Sequence, residues 1–343
     1  MKKIVFTGGG TAGHVMPNLA LIEELKNKAK IYYIGSNGME KDIIEKNNIP
    51  FFCIASTKLE RRFTLKNLLI PFILIKAIRQ AKKILKKLKP DVIFNKGGYV
   101  ALPVVFAAKR LKIKIISHES DMTLGLANRL CKNKSDYICT SFENTAKNLK
   151  NGIFTGSPIR KQIFNGKREN AIKLFENFTP RPTILVIGGS LGSKIINENI
   201  IKSLNKLKQF NIIHLVGKNN LKHIKQNNYI ELEFSNNIED LYSLADIVIS
   251  RAGSNVINEI LALNKLNILI PLSKKASRGD QIMNASYFKE KGYSKVILEE
   301  DLSETNLVDC IKEVLNNKNY YLLNMKNANM KLANSKIINL LLE

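Results

Sequence analysis

Apolar positions recur along this chain in two rhythms. Short runs of β-branched and aliphatic residues stop at glycines. Longer stretches carry apolar residues three or four apart. The alternation predicts strands that run into helices, the pattern of an α/β fold with parallel sheets. The first strand reads Lys3-Ile4-Val5-Phe6-Thr7 and enters Gly8-Gly9-Gly10-Thr11-Ala12-Gly13-His14. About 180 residues later, Thr183-Ile184-Leu185-Val186-Ile187 enters Gly188-Gly189-Ser190-Leu191-Gly192-Ser193. Each is the opening unit of a nucleotide-binding α/β domain.

The repeat extends beyond these loops. Ile31-Tyr32-Tyr33-Ile34-Gly35 matches Ile212-Ile213-His214-Leu215-Val216-Gly217. Asp91-Val92-Ile93-Phe94-Asn95-Lys96-Gly97-Gly98 matches Asp246-Ile247-Val248-Ile249-Ser250-Arg251-Ala252-Gly253, and Lys114-Ile115-Ile116-Ser117 matches Asn267-Ile268-Leu269-Ile270. Two Rossmann-like domains facing one cleft are predicted, at 1–160 and 161–326. Such a cleft suits the joining of two substrates. The first copy holds roughly 25 extra residues between its second and third matched strands, placed at Arg61 to Lys89.

That insertion gives the charge its meaning. Lys and Arg number 54 against 29 Asp and Glu, a net charge of +25. Nucleic acid, anionic lipid and a lysine-biased coding background all produce such an excess. Arg61-Arg62-Phe63 precedes the apolar run Leu68-Leu69-Ile70-Pro71-Phe72-Ile73-Leu74-Ile75. A helix pattern follows to Lys89, with apolar residues at 75, 78, 81, 85 and 88 and no acid on the other face. Basic residues around exposed Phe and Leu predict docking on an anionic membrane lipid, through Phe63, Leu68, Phe72, Lys82, Lys83 and Lys86. The plain alternative is a helix packed on its own sheet with a solvated lysine face. A nucleic-acid partner is not predicted, because no Arg–aromatic interleaving or reading motif occurs. No apolar run approaches the ~20 residues of a spanning helix. No secretory leader is read at the start, and four scattered cysteines fit a reducing cytosol.

The first glycine loop differs from the dinucleotide GxGxxG. No acid ends the second strand at Ile34-Gly35-Ser36, where a ribose-binding carboxylate would be expected, and no Walker lysine is present. His14 stands at a helix start, where the dipole disfavours its protonated form. It is the candidate base, with capping or packing as the alternative. The second loop opens a helix whose N-terminus can hold a diphosphate, with Ser190 as a donor. Ser254, Asn255 and Glu259 lie on the helix after the next loop, and Glu259 there can take ribose hydroxyls. Arg160 falls between the domains, within reach of a phosphate. No DxD pair or His/Asp cluster suggests a metal, and no cofactor is predicted.

Several motifs in one order resemble the UDP-N-acetylglucosamine:N-acetylmuramyl-(pentapeptide)-pyrophosphoryl-undecaprenol N-acetylglucosaminyltransferase family of peptidoglycan synthesis. They are Gly9 to Pro17, Gly97-Gly98-Tyr99-Val100-Ala101-Leu102-Pro103, and His118-Glu119-Ser120-Asp121 with Gly125-Leu126-Ala127-Asn128. Gly156-Ser157-Pro158-Ile159-Arg160, the 188–193 loop, Arg251-Ala252-Gly253 with Glu259, and Asp280-Gln281 with Asn284-Ala285 complete the set.

The resemblance covers essentially the whole chain and implies the GT-B type of glycosyltransferase fold. It implies inverting transfer of N-acetylglucosamine from UDP-GlcNAc to the 4-hydroxyl of a polyprenyl-pyrophosphate-linked muramyl-peptide acceptor, at the cytoplasmic face of the membrane. It places the donor near Thr11, Ala12, Gly13, Arg160, Ser190, Ser254, Asn255, Glu259 and Gln281, and makes His14 the base. The acceptor side takes Gly98, Tyr99, His118 and Glu119, and Glu119 is the second candidate base. Donor binding falls to the second domain, acceptor and membrane binding to the first, with a last helix at about 327–343 packing back on the first. Ser120-Asp121 stands where the family often has Gln-Asn, and Asp280 where it often has a further Gln. A glycosyltransferase acting on diacylglycerol and a UDP-sugar 2-epimerase are the rival readings on this scaffold.

Overall fold

The computed structural model describes residues 1–56, 70–189, 191–274, 277–328 and 332–343. The chain divides into two compact units, Met1–Arg160 with Lys331–Glu343, and Lys161–Met330.

The first unit is a seven-stranded parallel sheet in the order β3-β2-β1-β4-β5-β6-β7. Its strands are β1 (Lys2–Thr7), β2 (Ala29–Gly35), β3 (Phe51–Cys53), β4 (Val92–Asn95), β5 (Lys114–Glu119), β6 (Tyr137–Thr140) and β7 (Gly152–Phe154). Helices α1 (Ala12–Leu25), α2 (Met39–Lys46), α3 (Ile70–Leu88), α4 (Ala101–Arg110), α5 (Leu126–Cys131) and α6 (Glu143–Lys147) connect them. Helices on both faces bury the central strands completely, and Ile4, Val5, Phe6, Ile93 and Phe94 have no exposed surface. One core layer gathers β1, α1 and the C-terminal residues Ile337, Ile338 and Leu341; the other gathers Val5, Ile93 and Ile115 with α3 and α4.

The second unit is a six-stranded parallel sheet in the order β10-β9-β8-β11-β12-β13. It comprises β8 (Thr183–Ile187), β9 (Asn211–Leu215), β10 (Tyr229–Leu232), β11 (Ile247–Ser250), β12 (Leu266–Leu269) and β13 (Lys295–Val296). Its helices are α7 (Arg168–Ile172), α8 (Lys194–Ser203), α9 (Ile238–Leu244), α10 (Ser254–Ala262), α11 (Asp280–Glu290), α12 (Glu304–Asn316) and α13 (Lys318–Asn327). The chain then returns to the first unit as α14 (Ala333–Leu342). There Asn334 accepts from the Ile159 amide at 2.9 Å and donates to the Ile159 carbonyl at 2.8 Å and to Glu24 at 2.6 Å.

In each sheet the first strand has successive strands on opposite sides, β2 and β4 around β1, and β9 and β11 around β8. Such a switch point parts the flanking loops at the carboxyl ends of the strands, where open α/β sheets bind ligands. Both glycine loops leave from these points.

Candidate active site

Thr7 pairs in register with Asn95, so the loops after β1 and β4 leave the sheet side by side. A Cβ on Gly10 would come within 2.6 Å of the Tyr99 ring, and one on Gly98 within 2.4 Å of the Gly9 carbonyl oxygen and 3.2 Å of His14 Nδ1. Both glycines have φ of +82°, a conformation L-residues rarely adopt. The triple-glycine and Gly-Gly-Tyr motifs are thus one packed structure built across two strands.

A carboxylate braces that structure. Glu40, fully buried on α2, accepts from the Ser36 amide at 3.0 Å, from the Ser36 hydroxyl, and from the Gly10 amide at 3.2 Å. A Cβ on Gly9 would lie 2.6 Å from the Glu40 carboxyl carbon. A dinucleotide-binding loop offers such amides to a phosphate; here an internal acid takes one. The absence of an acid at the end of β2 was legible in the sequence, and the acid four residues later was not.

Thr11 is the exposed N-cap of α1, and Ala12 and Gly13 open its first turn. His14 is half-buried behind them. Its Nδ1 lies 3.0 Å from the Gly9 carbonyl oxygen and 3.0 Å from the Thr11 hydroxyl. A carbonyl only accepts, so Nδ1 carries the proton and Nε2 is the basic nitrogen. Burial first and the positive charge of Lys96 second lower the His14 pKa to about 4, against the opposing pull of the Gly9 hydrogen bond and Glu40. The ring is neutral at pH 7, with burial rather than the helix dipole as the main cause.

Lys96 is the residue the sequence reading missed. Its side chain is buried, 2% exposed, and its ammonium donates to the Ser120 hydroxyl. Burial lowers its pKa to about 8, against the pull of Glu119 and Asp121. In the sequence it is one lysine among many at a strand end, and nothing there says that its head turns inward.

His118 and Glu119 are corrected by the structure. His118 is fully buried on β5, where Nε2–H donates to the Gly156 carbonyl at 2.9 Å; burial holds its pKa well below the ordinary value. It has no surface to offer a substrate. Glu119 accepts four hydrogen bonds, from the amides of Ser120 at 2.9 Å, Asp121 at 3.1 Å and Gly125 at 2.9 Å, and from Asn128 at 2.9 Å. Burial raises its pKa. With its lone pairs engaged it shapes the 120–125 loop and is ill placed to act as a base. Asn128 links this loop to Asn95, whose side chain donates to it at 3.2 Å and accepts from the Gly97 amide at 2.8 Å.

In the second unit Ile187 pairs with Ser250, which sets the 188–193 loop beside the loop after β11. Ser190 lies outside the described residues. A Cβ on Gly192 would come within 1.9 Å of the Val216 carbonyl oxygen, so this turn also demands glycine. Ser254 begins α10, and Asn255 and Glu259, four apart, share one face of it. Glu259 is half-buried, with the Tyr242 hydroxyl 3.4 Å away. Gln281 accepts from the Leu272 amide at 3.0 Å, which leaves its side-chain NH₂ to donate elsewhere. Arg160, half-buried, closes the first unit.

Arg251, read in the sequence only as part of a motif, ties the end of the 188–193 loop to the segments after β12 and β13. It donates to Ser193 Oγ at 2.7 Å, to the Ile270 and Pro271 carbonyls at 3.2 and 3.3 Å, and to Glu299 at 2.5 Å. Burial works to raise the Glu299 carboxyl, but hydrogen bonds from Arg251 and Ser273 outweigh it and hold its pKa below the ordinary value.

On α3, Ala77, Ile78, Ala81 and Leu85 form the buried face. Ile75, part of the apolar spacing in the sequence, is 48% exposed, and Ala77 is buried instead. Phe72, at 71% exposed, joins Ile75, Lys76, Arg79, Lys83 and Lys86 on the outward side, and Lys82 is half-buried. Phe63 and Leu68 lie outside the described residues. Among the described residues, no helix is long and apolar enough to cross a membrane, and no group of three His, Cys, Asp or Glu side chains could hold a metal.

Two parallel-sheet α/β units, each with a glycine loop at its switch point, are the architecture of a GT-B glycosyltransferase. Residues 4–140 match the glycosyltransferase family 28 N-terminal domain and residues 183–341 its C-terminal domain. The chain is 51% identical, over 96% of both chains, to the UDP-N-acetylglucosamine--N-acetylmuramyl-(pentapeptide) pyrophosphoryl-undecaprenol N-acetylglucosamine transferase of Clostridium botulinum (strain Kyoto / Type A2). Among solved structures it resembles MurG of Acinetobacter baumannii, with a TM-score of 0.80 and 25% identity over 99% of each chain. The UDP-GlcNAc 2-epimerase of Neisseria meningitidis shares the fold, with a TM-score of 0.68 and 16% identity over 100% of this chain and 99% of that one. This chain belongs to glycosyltransferase family 28.

Proposed function

We propose that this enzyme transfers N-acetylglucosamine from UDP-GlcNAc to the 4-hydroxyl of the muramyl sugar of undecaprenyl-pyrophosphoryl-MurNAc-pentapeptide. The observation that carries the reading is the 51% identity, across nearly the full length of both chains, to a transferase named for that reaction. The reaction is one inverting displacement. The acceptor hydroxyl attacks the anomeric carbon and gives its proton to His14 Nε2. The bond from that carbon to the β-phosphate oxygen breaks, and UDP leaves with the electron pair. A ring that is neutral at pH 7, with its tautomer fixed by Gly9, supports His14 in this role.

Donor binding falls to the second unit. Among the described residues, no carboxylate accepts a hydrogen bond from the amides of Gly188, Gly189, Leu191 or Gly192, so the turn can meet a diphosphate at the start of α8, with Ser190 as a further donor. Glu259 takes the ribose hydroxyls, Gln281 the sugar, and Ser254, Asn255 and Arg160 complete the donor contacts with Thr11 to Gly13. Tyr99 and Gly98 line the acceptor side. The enzyme works as a peripheral protein at the cytoplasmic face of the membrane. There α3 meets anionic lipid through Phe72 and the basic residues that follow it, a stripe without a single acid from Ile70 to Leu88.

The test is transfer of labelled N-acetylglucosamine to a lipid-linked muramyl-peptide acceptor, run beside diacylglycerol. Transfer to the muramyl sugar alone is the expected result. Transfer to diacylglycerol, or loss of UDP-GlcNAc without any acceptor product, would overturn the reading.

A further inference from the structure

The first unit contains a second feature that the reaction above does not use. An open cavity of about 450 Å³ lies beyond the ends of β2 and β3, between the β2–α2 turn and α3. We propose that it is a binding site for an anion of the phosphate class and, resting on the function proposed above, that it receives the pyrophosphate bridge of the lipid-linked acceptor.

The chemistry of its wall points to an anion. Among the described residues, Lys76 is the only ionised side chain that lines it, and no carboxylate pairs with it. Gln80, one turn further along α3, accepts from the Ala55 amide at 2.7 Å. Its oxygen is thereby fixed, and its NH₂ is left to donate. The Ser56 hydroxyl on the same wall is buried without a hydrogen-bond partner. Asn37 adds a side-chain amide. Gly38 caps the N-terminus of α2, which adds the positive end of a helix dipole. The nearby acid, Glu40, is fully buried with its oxygens engaged by Ser36 and Gly10, and it does not line the cavity.

That engagement also decides where the anion does not go. The Gly10 amide, which a phosphate would need, already belongs to Glu40. An anionic group beside His14 must therefore find its donors next door. Tyr99 links the two places, since it lines the cavity and its ring packs on Gly10. On the other side, Phe72 lies one helical turn before Lys76 on α3 and is exposed. The order along the surface is an apolar anchor, a cation-lined cavity and then the base. A lipid, a pyrophosphate and a sugar follow one another in the same order along the acceptor.

Cys53 provides a native reporter. It lines the cavity and is exposed, whereas Cys131, Cys139 and Cys310 are buried. The experiment measures the rate of Cys53 alkylation by iodoacetamide in the full chain, resolved by peptide mass spectrometry. Inorganic pyrophosphate, a short-chain pyrophosphoryl-muramyl-peptide acceptor, UDP, and phosphatidylglycerol vesicles are the four additions. Pyrophosphate and the acceptor should both slow alkylation, and UDP should not. In Lys76→Gln the half-protecting concentration of each should rise about tenfold, equivalent to about 1.4 kcal/mol. The acceptor KM in solution should rise by a similar factor, with kcat and donor KM held. No protection by millimolar pyrophosphate, equal protection by UDP, or protection unchanged in Lys76→Gln would each overturn the proposal. Protection by vesicles alone would also overturn it, by assigning the cavity to a lipid headgroup. Failure of sugar transfer in the wild-type protein would instead refute the proposed function, and the pyrophosphate measurement reads independently of it.

Discussion

Replacing Lys96 by Met should move the acid limb of the pH–rate profile upward. His14 is held at about 4 against an ordinary value of 6.5. Protonating it in the folded enzyme therefore costs about 3 kcal/mol more than in water. Burial is the largest cause and the Lys96 charge the second, so the substitution recovers the smaller part, on the order of one pH unit or about 1.4 kcal/mol. Lys96 is itself buried at an electrostatic cost, its pKa lowered to about 8 by burial. A Met of similar length relieves that cost while losing one hydrogen bond to Ser120. The fold should therefore survive.

The assay is kcat/KM for a short-chain soluble acceptor, from initial rates after a jump from neutral pH into the range of about 3.5 to 8. The wild-type limb should fall near 4, because the base is lost only when His14 takes a proton. In Lys96→Met it should lie near 5, and the plateau should not drop, since a stronger base remains largely unprotonated at pH 7. Rapid measurement is needed because stability carries the same linkage. A histidine whose folded pKa is depressed contributes stability that is full above 6.5 and is lost as pH falls toward about 4. A wild-type limb between 6 and 7 would refute the burial argument. A limb unmoved in a folded Lys96→Met enzyme would remove Lys96 from the electrostatics of the base.

Three further outcomes follow from the geometry. Gly9→Ala places a methyl within 2.6 Å of the Glu40 carboxyl, and a loop displaced by about 1 Å should lower kcat by about 10²-fold with the fold retained by circular dichroism. Arg251→Lys keeps a charge for Glu299 but cannot also reach Ser193 and two carbonyls, so the UDP-GlcNAc KM should rise about tenfold; an unchanged KM would separate the clamp from the donor site. Replacing Lys82, Lys83, Lys86 and Lys87 by Glu removes attraction of about 1 kcal/mol per residue, so the protein should leave anionic vesicles in a flotation assay while turning over a soluble acceptor normally. Vesicle binding that survives this change combined with Phe72→Ser would make α3 an ordinary surface helix.

Much of the architecture was legible because it rests on local pattern. β-Branched runs ending at Gly8 and Gly188 mark strands entering turns, and the repeat of four matched strands announces two parallel sheets. His14 stood out in the sequence because a glycine loop at a helix start brings backbone donors and a side chain to one place. Lys96, Glu40 and Arg251 were not legible as they act, because each role depends on which loops the strand order places together. Glu40 lies on α2, yet it braces a loop from β1 because β2 adjoins β1. His118 and Glu119 failed as substrate contacts for the converse reason. Their motif marked the end of a strand, but the sequence could not reveal that the Gly156 carbonyl and four donors around the 120–125 loop would take up their polar atoms.

The two glycine loops then separate by one carboxylate. Both follow the first strand of a parallel sheet, and both hold glycines at positive φ, Gly10 in one and Gly189 and Gly192 in the other. In the first loop the Gly10 amide is spent on Glu40, and a diphosphate brought there would meet a buried negative charge. The described amides of the second loop meet no acid, and Arg251 reaches the cap of the helix behind them through Ser193. A repeated sequence pattern thus yields one loop suited to steadying a base and another suited to a leaving diphosphate. On the proposed reaction these are the two ends of a single displacement. The proton must leave the acceptor where added negative charge is unwelcome, and the negative charge of UDP must grow where nothing opposes it. Glu40 is therefore the residue that makes the two copies unequal, although it belongs to neither glycine motif.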